Sequence, residues 1–266
     1  MNALRNIALS LALSIPSVAG ASCGLDHCPM DAAPSAAKVR GELKLTSRLT
    51  DAPLWPGGYG ELFLGGHVAP GKHLKLGGAT PLIARSSLGE RQIGIGNTIL
   101  YADLGRALGE GAAVVAAGLQ AELPTASDEA LGDRHLVVMP YARAQGWLGP
   151  ADLAVQVAWG QAVGAEAHRH GIGVEVNPHD AQELLARAEL GVTRDAAWGA
   201  LRPGARVDLI KSFDEGGQLP VTVGPVVGLT RGRWALNAAG ALPVTRDRRV
   251  GWRVGLGLTA RLGAPA

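Results

Sequence analysis

The fold is decided at the carboxyl-terminal end, where residues 250–262 read VGWRVGLGLTARL. Every second residue from Val250 to Leu262 is apolar, and the positions between them carry glycine, threonine and arginine. Because successive side chains of a β-strand point to opposite faces, this period of two predicts a strand with one apolar face and one small or cationic face. A helix would bring Arg253 and Leu256 to the same side, which is incompatible with burying that side.

The same period recurs along the chain, for example in residues 39–48 and 183–192. Reading the chain in this way predicts twelve strands, at residues 38–49, 59–69, 72–86, 91–105, 111–123, 134–147, 150–163, 181–195, 197–211, 218–230, 232–244 and 249–262. These segments exceed the about 5–6 residues of ordinary strands. They match the strands of roughly ten residues with which β-barrels cross a bilayer.

The composition favours a membrane barrel. Only 18% of the residues are charged, yet the sequence after residue 21 contains no apolar run of the about 18 residues that a membrane-spanning helix needs. An even number of antiparallel strands that closes on itself leaves no unpaired backbone in lipid. We therefore expect an all-β fold, an antiparallel transmembrane β-barrel of about twelve strands. A water-soluble β-sandwich or barrel is the alternative.

The connections between the predicted strands alternate in length, as they do in outer-membrane barrels with both termini in the periplasm. Tight turns are predicted after even-numbered strands, at residues 69–72, 148–150, 195–196 and 231–232. The longest connections follow odd-numbered strands, at residues 51–58, 125–134 and 164–180. Tryptophans near the predicted strand ends suit interfacial girdles, and they are Trp147, Trp159, Trp198, Trp234 and Trp252.

The first 21 residues have the features of a secretory signal peptide. Arg5 supplies a positive charge, residues 7–15 are apolar, and residues 19–21 read AGA, the small-residue pattern of a cleavage site. We expect residues 22–37 to form a periplasmic segment, residues 38–262 the barrel and residues 263–266 a tail. The expected location is the outer membrane of a Gram-negative bacterium.

Two stretches carry a family resemblance. Residues 94–104 read GIGNTILYADL and residues 118–125 read GLQAELPT. This pair resembles the outer-membrane transporter-like family of the meta-pathway of phenol degradation, whose members carry a GxGD strand opening and a GxxLPTG strand end. Residues 186–190 and 241–245 are similar to that family's later strands. The resemblance implies a barrel in the outer membrane and a loose association with the uptake of hydrophobic or aromatic compounds, and it implies no catalytic residues.

The chain departs from the family pattern at three places. Asn97 stands where the family has aspartate, Ala126 replaces a glycine, and the chain ends at residues 262–266 without a terminal aromatic residue. We interpret the motif residues as structural. Glycines at 94 and 96 leave room for large neighbours, and a proline at 124 ends a strand where its missing N–H does least harm.

The predicted periplasmic segment contains a cluster of soft metal ligands. Both cysteines of the chain lie there, and the cluster consists of Cys23, His27, Cys28 and Met30. Thiolate, imidazole and thioether groups are ligands for Cu(I) or Zn(II). A disulfide between Cys23 and Cys28 is the favoured alternative, because the compartment is oxidising and the pair is isolated.

A weaker metal-binding pattern lies in the longest predicted loop, where His168 and His170 have H-x-H spacing. Such spacing places both imidazoles on one face of an extended chain, although a solvated polar loop is the simpler interpretation. Elsewhere in the sequence, His135, Ser127 and Asp128 form no recognisable Ser/His/Asp catalytic arrangement. We therefore predict no enzymatic activity and no certain cofactor, with a copper or zinc ion as the alternative.

Alternation also predicts which charged side chains line the lumen. They are Arg40, Glu42, Lys44, Arg48, Arg187, Glu189, Arg202, Arg206, Asp208, Arg253 and Arg261. The first and last strands are neighbours in a closed barrel, so positive charge is expected to concentrate where they meet. Such a lumen either favours anions or is cross-linked and filled by Arg–Glu pairs.

The predicted function is a channel or transporter-like barrel for small molecules, with metal handling by the Cys/His/Met segment as the alternative. The expected partners are outer-membrane lipid, lipopolysaccharide, the barrel-assembly machinery and a small-molecule solute. A net charge of +2 is too small to indicate nucleic acid.

Overall fold

A computed structural model describes residues 40–262, apart from residues 54, 72, 110–111, 133, 165–173, 177–178 and 214–216. The described chain forms strand segments with short connections and one 3₁₀ turn, Glu129–Leu131. The segments are β1 Arg40–Asp51, β2 Gly57–Ala69, β3 Leu74–Ser87, β4 Glu90–Ile95, β5 Thr98–Leu108, β6 Ala113–Leu123, β7 Leu136–Leu148, β8 Ala151–Val163, β9 Gln182–Val192, β10 Arg194–Ala196, β11 Gly199–Ser212, β12 Val221–Arg231, β13 Trp234–Pro243 and β14 Arg253–Leu262.

These segments form one closed antiparallel barrel. Each strand pairs with its neighbours in sequence, and β1 pairs with β14, which closes the sheet. β4 and β5 are two parts of one strand, since both pair with β3, and β9 and β10 likewise both pair with β11. The barrel therefore has twelve strands, as predicted from the sequence. None of the helices in the described part of the chain has the length and apolar character of a membrane span.

The strands are strongly tilted. A row of paired residues that begins at Asp195 on β10 passes through Thr259 on β14 and Lys44 on β1 and returns to the starting strand beside Ala181. The row thus climbs from one end of the barrel to the other in a single circuit. Such stagger accompanies strand tilt and fixes which side chains meet inside.

The period of two separates the barrel's faces. On β14, Val254, Leu256 and Leu258 are exposed on the outer face, while Arg253 and Thr259 are buried in the interior. The same separation extends sideways through the sheet, where the exposed Leu258, Leu45 and Leu64 are paired neighbours on β14, β1 and β2. The outer wall is therefore apolar, and the polar residues of these strands face the lumen.

The two ends of the barrel differ. One end, which we call the short-turn end, carries Arg40, Leu262 and the connections 70–73, 109–112, 149–150, 197–198 and 232–233. The long-loop end carries the connections 52–56, 88–89, 124–135, 164–181, 213–220 and 244–252. One connection at the long-loop end is itself tight, because Leu88 and Gly89 both adopt positive φ, as a two-residue hairpin requires.

Several boundaries differ from the prediction. β10 continues through Ala196, so the turn predicted at 195–196 lies at 197–198, next to Gly199 with φ 139°. β14 begins at Arg253 rather than at 249, although Gly251 and Trp252 still exchange backbone hydrogen bonds with Asp51. Local alternation does not reveal where a ladder stops, because strand ends depend on the partner strand.

Candidate functional site in the barrel interior

The interior is the candidate site because it collects the charged residues of the strands. The structure places ten of the predicted lumen residues on the inner face, and they are Glu42, Lys44, Arg48, Arg187, Glu189, Arg202, Arg206, Asp208, Arg253 and Arg261. The side chain of Arg40 is outside the described part of the structure. Among these ten residues, Arg202 on β11 is the most buried, with 1% of its surface exposed.

A ladder of ion pairs covers the wall formed by β5 to β11. Arg202 donates from Nε and Nη2 to the two carboxylate oxygens of Asp152, at 2.8 and 2.6 Å, and from Nη1 to Glu189 at 2.5 Å. Asp152 lies two strands away, on β8. The guanidinium reaches it by crossing Gly191, where a Cβ atom would lie 2.4 Å from Nε and Cζ of Arg202.

The ladder continues toward the long-loop end. Asp208 accepts from Arg187 at 2.5 Å and lies 3.0 Å from Arg206. Arg187 is paired in register with Gln156 on β8, which is itself paired with Arg143 on β7. Four arginines therefore share this wall with buried carboxylates, and each positive charge lies beside a negative one.

At the end of the ladder, an ion pair lies near an amide that forms no hydrogen bond with the described residues. Arg143 on β7 contacts Asp103 on β5 at 2.5 Å. Gln156 is buried, and neither its amide nitrogen nor its amide oxygen has a hydrogen-bond partner among the described residues. Sequence reasoning missed Asp103, Arg143, Asp152 and Gln156, although each is a polar residue at an inward position of a mostly apolar strand.

The opposite wall, around the junction of β1 and β14, is also paired. Arg48 contacts Glu61 at 2.8 Å and lies over the ring of Phe63, with its Cζ 4.5 Å from the ring centroid. Arg261 lies 3.5 Å from Glu42. Carboxylates thus balance two of the cations that the sequence concentrates at this junction, and Glu61 was missed because β2 alternates less clearly.

The remaining cations at this junction that the structure describes are Arg253 and Lys44. Arg253 donates to the hydroxyls of Thr50 at 3.0 Å and Tyr59 at 3.4 Å. Lys44 borders a small cavity near the short-turn end. The side chains around this cavity include Glu42, Phe63, His67 and Tyr101. A polar pocket with two aromatic walls therefore opens inside the barrel near the short-turn end.

Small residues line a third part of the interior. On β12, β13 and β14, inward positions hold Gly228, Ala239, Gly255 and Gly257. Between them lies Asn237, which is fully buried and whose amide atoms have no partner among the described residues. The lumen is therefore asymmetric, with large charged side chains on one wall and minimal side chains on another.

An apolar cluster packs inside the barrel at the long-loop end. Leu131 from the 124–135 connection and Val174 and Val176 from the 164–181 connection pack against Tyr59 and Ile83 of the wall. All five side chains are buried. We call this cluster the mouth cluster.

Polar contacts hold the mouth cluster in place. The backbone of Val174 is bound at both ends, since its N–H donates to Ser87 Oγ at 2.8 Å and its carbonyl accepts from Arg85 at 2.5 Å. On the other side of the mouth, Arg249 contacts Asp180 at 2.7 Å and also contacts Glu183. The described parts of the 164–181 connection are thereby fastened to β3 and β9.

Two imidazoles meet at the same rim. Nε2 of His135 lies 2.8 Å from Nε2 of His179, so one ring donates its proton to the other. His168 and His170, the histidines that the sequence indicated for metal binding, lie outside the described residues, as do Cys23, His27, Cys28 and Met30. Metal binding by either group stays a prediction.

The stretches that carry the family resemblance contact each other. Asn97 lies in the interruption between β4 and β5, donates to Glu122 at 3.0 Å and accepts from the N–H of Ala126 at 3.1 Å. Thr125 accepts from the N–H of Thr98 at 2.8 Å. Gly94 leaves room for Leu131, since a Cβ atom there would lie 2.7 Å from Leu131 Cδ1. These residues anchor the loop that supplies Leu131 to the mouth cluster.

Of the tryptophans assigned to interfacial girdles, Trp159, Trp198, Trp234 and Trp252 are exposed. Trp159 also packs against Phe213, with 5.0 Å between ring centroids. Trp147 differs, because it occupies an inward position of β7 and its indole nitrogen is buried. Its assignment to the outer girdle was wrong, since alternation along β7 directs odd-numbered side chains into the barrel.

Comparison with known proteins identifies the fold. Neither a family model nor a curated protein matches the sequence, so the resemblance to the phenol-degradation family stays a prediction. Among solved structures, the chain is similar to the COG4313 outer membrane channel from Pseudomonas putida F1, with 13% identity and a TM-score of 0.58, over 86% of this chain and 96% of that one. It is also similar to the KdgM porin, with 10% identity and a TM-score of 0.53, over 84% and 99% of the two chains. At these identities the likeness concerns architecture, and the chain folds as a β-barrel of the kind found in those outer-membrane proteins.

Proposed function

We propose that the chain is an outer-membrane channel for small molecules and that the structure represents its closed state. The observation that carries this proposal is the opposition of an apolar outer wall and a charged, asymmetric interior. An apolar exterior suits lipid, and ionisable residues inside a membrane protein are costly unless they line a path or are paired. Two structures with a similar fold, an outer membrane channel and a porin, support this assignment.

The proposed orientation follows from the connections. Outer-membrane barrels have short periplasmic turns and longer extracellular loops. The short-turn end would then face the periplasm, where the predicted signal peptide directs residues 22–37. The mouth cluster would close the extracellular side.

The mouth cluster suggests how such a channel opens. Leu131, Val174 and Val176 form an apolar cluster at the long-loop end, and hydrophobic constrictions gate channels by excluding water. Displacement of Val174 and Val176 would connect the outside to the charged interior. The 124–135 and 164–181 connections therefore control access in this proposal.

Planar-bilayer recording tests the proposal. We expect low conductance from the wild-type mature chain and a higher open probability from a Val174→Asp/Val176→Asp variant, whose charges resist burial in the mouth cluster. Val163→Asp, at an exposed outer position near the same end, serves as the control for an added charge. If neither wild type nor the double variant conducts, although both show the heat-modifiable gel shift of a folded barrel, the channel assignment fails.

A further inference from the structure

A basic and aromatic patch occupies one sector of the short-turn end. Arg194, Arg231 and Arg233 are exposed, and Trp198 and Trp234 are 48% and 45% exposed. They belong to the ends of β10 to β13 and to the turns 197–198 and 232–233. We call these five residues the rim patch.

The rim patch is continuous. Arg231 and Trp234 are paired in register across β12 and β13. The Cζ atom of Arg233 lies 5.2 Å from the centroid of the Trp234 ring. On the next hairpin, a Cβ atom at Gly199 would lie 3.4 Å from Cβ of Arg231, so the turn that carries Trp198 directly adjoins Arg231.

The charge of the rim patch is not neutralised within the described residues. None of its three arginines forms an ion pair there, whereas the arginines of the interior ladder do. Asp195 is adjacent to Arg194 in sequence and is also exposed, but the alternation of side chains along β10 places it on the opposite face of the strand from Arg194. Elsewhere on the same rim, the turn 149–150 is uncharged and follows Leu148, which is 85% exposed.

We propose that the rim patch binds the headgroups of anionic phospholipids in the periplasmic leaflet of the outer membrane. This inference rests on the membrane location and orientation proposed above. Guanidinium groups bind phosphate oxygens in bidentate geometry, and tryptophan rings settle at the level of the headgroups. In the rim patch, the arginines are therefore suited to bind the lipid phosphate, and the adjacent tryptophans are suited to pack against the upper part of the acyl chains.

Fluorescence quenching by brominated lipids tests this proposal on the folded mature chain in vesicles. Brominated phosphatidylglycerol and brominated phosphatidylcholine are compared in otherwise identical bilayers, and the ratio of their quenching measures the preference for the anionic headgroup. We expect several-fold preference in wild type and its loss in an Arg194→Gln/Arg231→Gln/Arg233→Gln variant.

The control removes the same charge from the other end of the barrel. Arg91→Gln/Arg246→Gln/Arg248→Gln replaces three exposed arginines at the long-loop end and should keep the wild-type preference. An equal loss in both triple variants, or no preference in wild type, overturns the proposal. A barrel that inserts and conducts without any lipid preference refutes the rim patch alone, whereas a barrel that fails to insert refutes the membrane assignment and this inference with it.

Discussion

Arg202 on β11 and Asp152 on β8 form a two-pronged ion pair that spans the intervening strand β9. The side chain of Arg202 crosses Gly191, and its third nitrogen binds Glu189. All three charged side chains are buried. Three strands are therefore linked on the inner face by one guanidinium, in addition to their backbone hydrogen bonds.

Replacing Arg202 by methionine should destabilise the barrel by about 3–5 kcal/mol, because Asp152 and Glu189 would remain buried without their counter-charge. Urea unfolding of the vesicle-inserted barrel, followed by heat-modifiable mobility, measures this loss. Arg134→Met is the matched control, since Arg134 forms an exposed ion pair with Glu129 and should contribute about 0–1 kcal/mol. Similar losses of stability in both variants would contradict a larger contribution from the buried ion pair than from the exposed one.

Gly191→Ala tests the passage of Arg202 across β9. The added Cβ atom would lie 2.4 Å from the guanidinium, which its carboxylate partners prevent from moving away freely. We expect lower stability in wild type and a much smaller effect of the same substitution in the Arg202→Met background. Gly71→Ala provides the control, because nothing lies within 4 Å of its Cβ position. Additive effects of Gly191→Ala and Arg202→Met would contradict this interpretation.

Leu64→Arg tests which face meets lipid. Leu64 is 67% exposed near the middle of β2, and an arginine at the centre of a bilayer costs a transmembrane barrel about 2–4 kcal/mol. Leu148→Arg, on the outer face at the rim, should cost about 0–1 kcal/mol. Refolding titrations into vesicles measure both values. A water-soluble barrel would tolerate the two substitutions equally.

The paired interior predicts weak ion selectivity in the opened channel. Asp103→Asn in the Val174→Asp/Val176→Asp background leaves Arg143 without its carboxylate and should shift the reversal potential toward anion selectivity. Arg143→Gln in the same background should shift it toward cations. Measurements in a KCl gradient distinguish these outcomes, and shifts of the same sign would exclude the pair from the conducting path.

The Cys23/Cys28 segment gives a prediction independent of the barrel. Under reducing conditions the mature chain should bind one more Cu(I) or Zn(II) ion than a Cys23→Ser/Cys28→Ser variant, because thiolates are the strongest ligands of the cluster. Metal stoichiometry after gel filtration measures the difference. Equal stoichiometry would count against the metal site, and mass spectrometry of the oxidised protein tests the disulfide alternative directly.

The interior ladder shows how far sequence reasoning extended into the site. Alternation along the strands predicted that Arg202 and Glu189 face the lumen, but it did not predict which side chains they bind. It did not identify Asp152 as a partner, because the approach of β8 and β11 side chains across β9 depends on strand order and stagger. The β1–β2 pairing brought Arg48 beside Glu61, and closure brought Arg261 beside Glu42, so the positive charge expected between the first and last strands is reduced.

The stretch at 250–262 by itself determined that this chain forms strands with one apolar and one polar face, because side-chain direction on a strand repeats every two residues whatever its neighbours are. Only the tertiary structure decided where β14 begins and which side chains meet across the lumen. It also brought Val174 and Val176 into the mouth. Register, closure and loop packing join residues distant in sequence, and their free energy depends on contacts that no local pattern records.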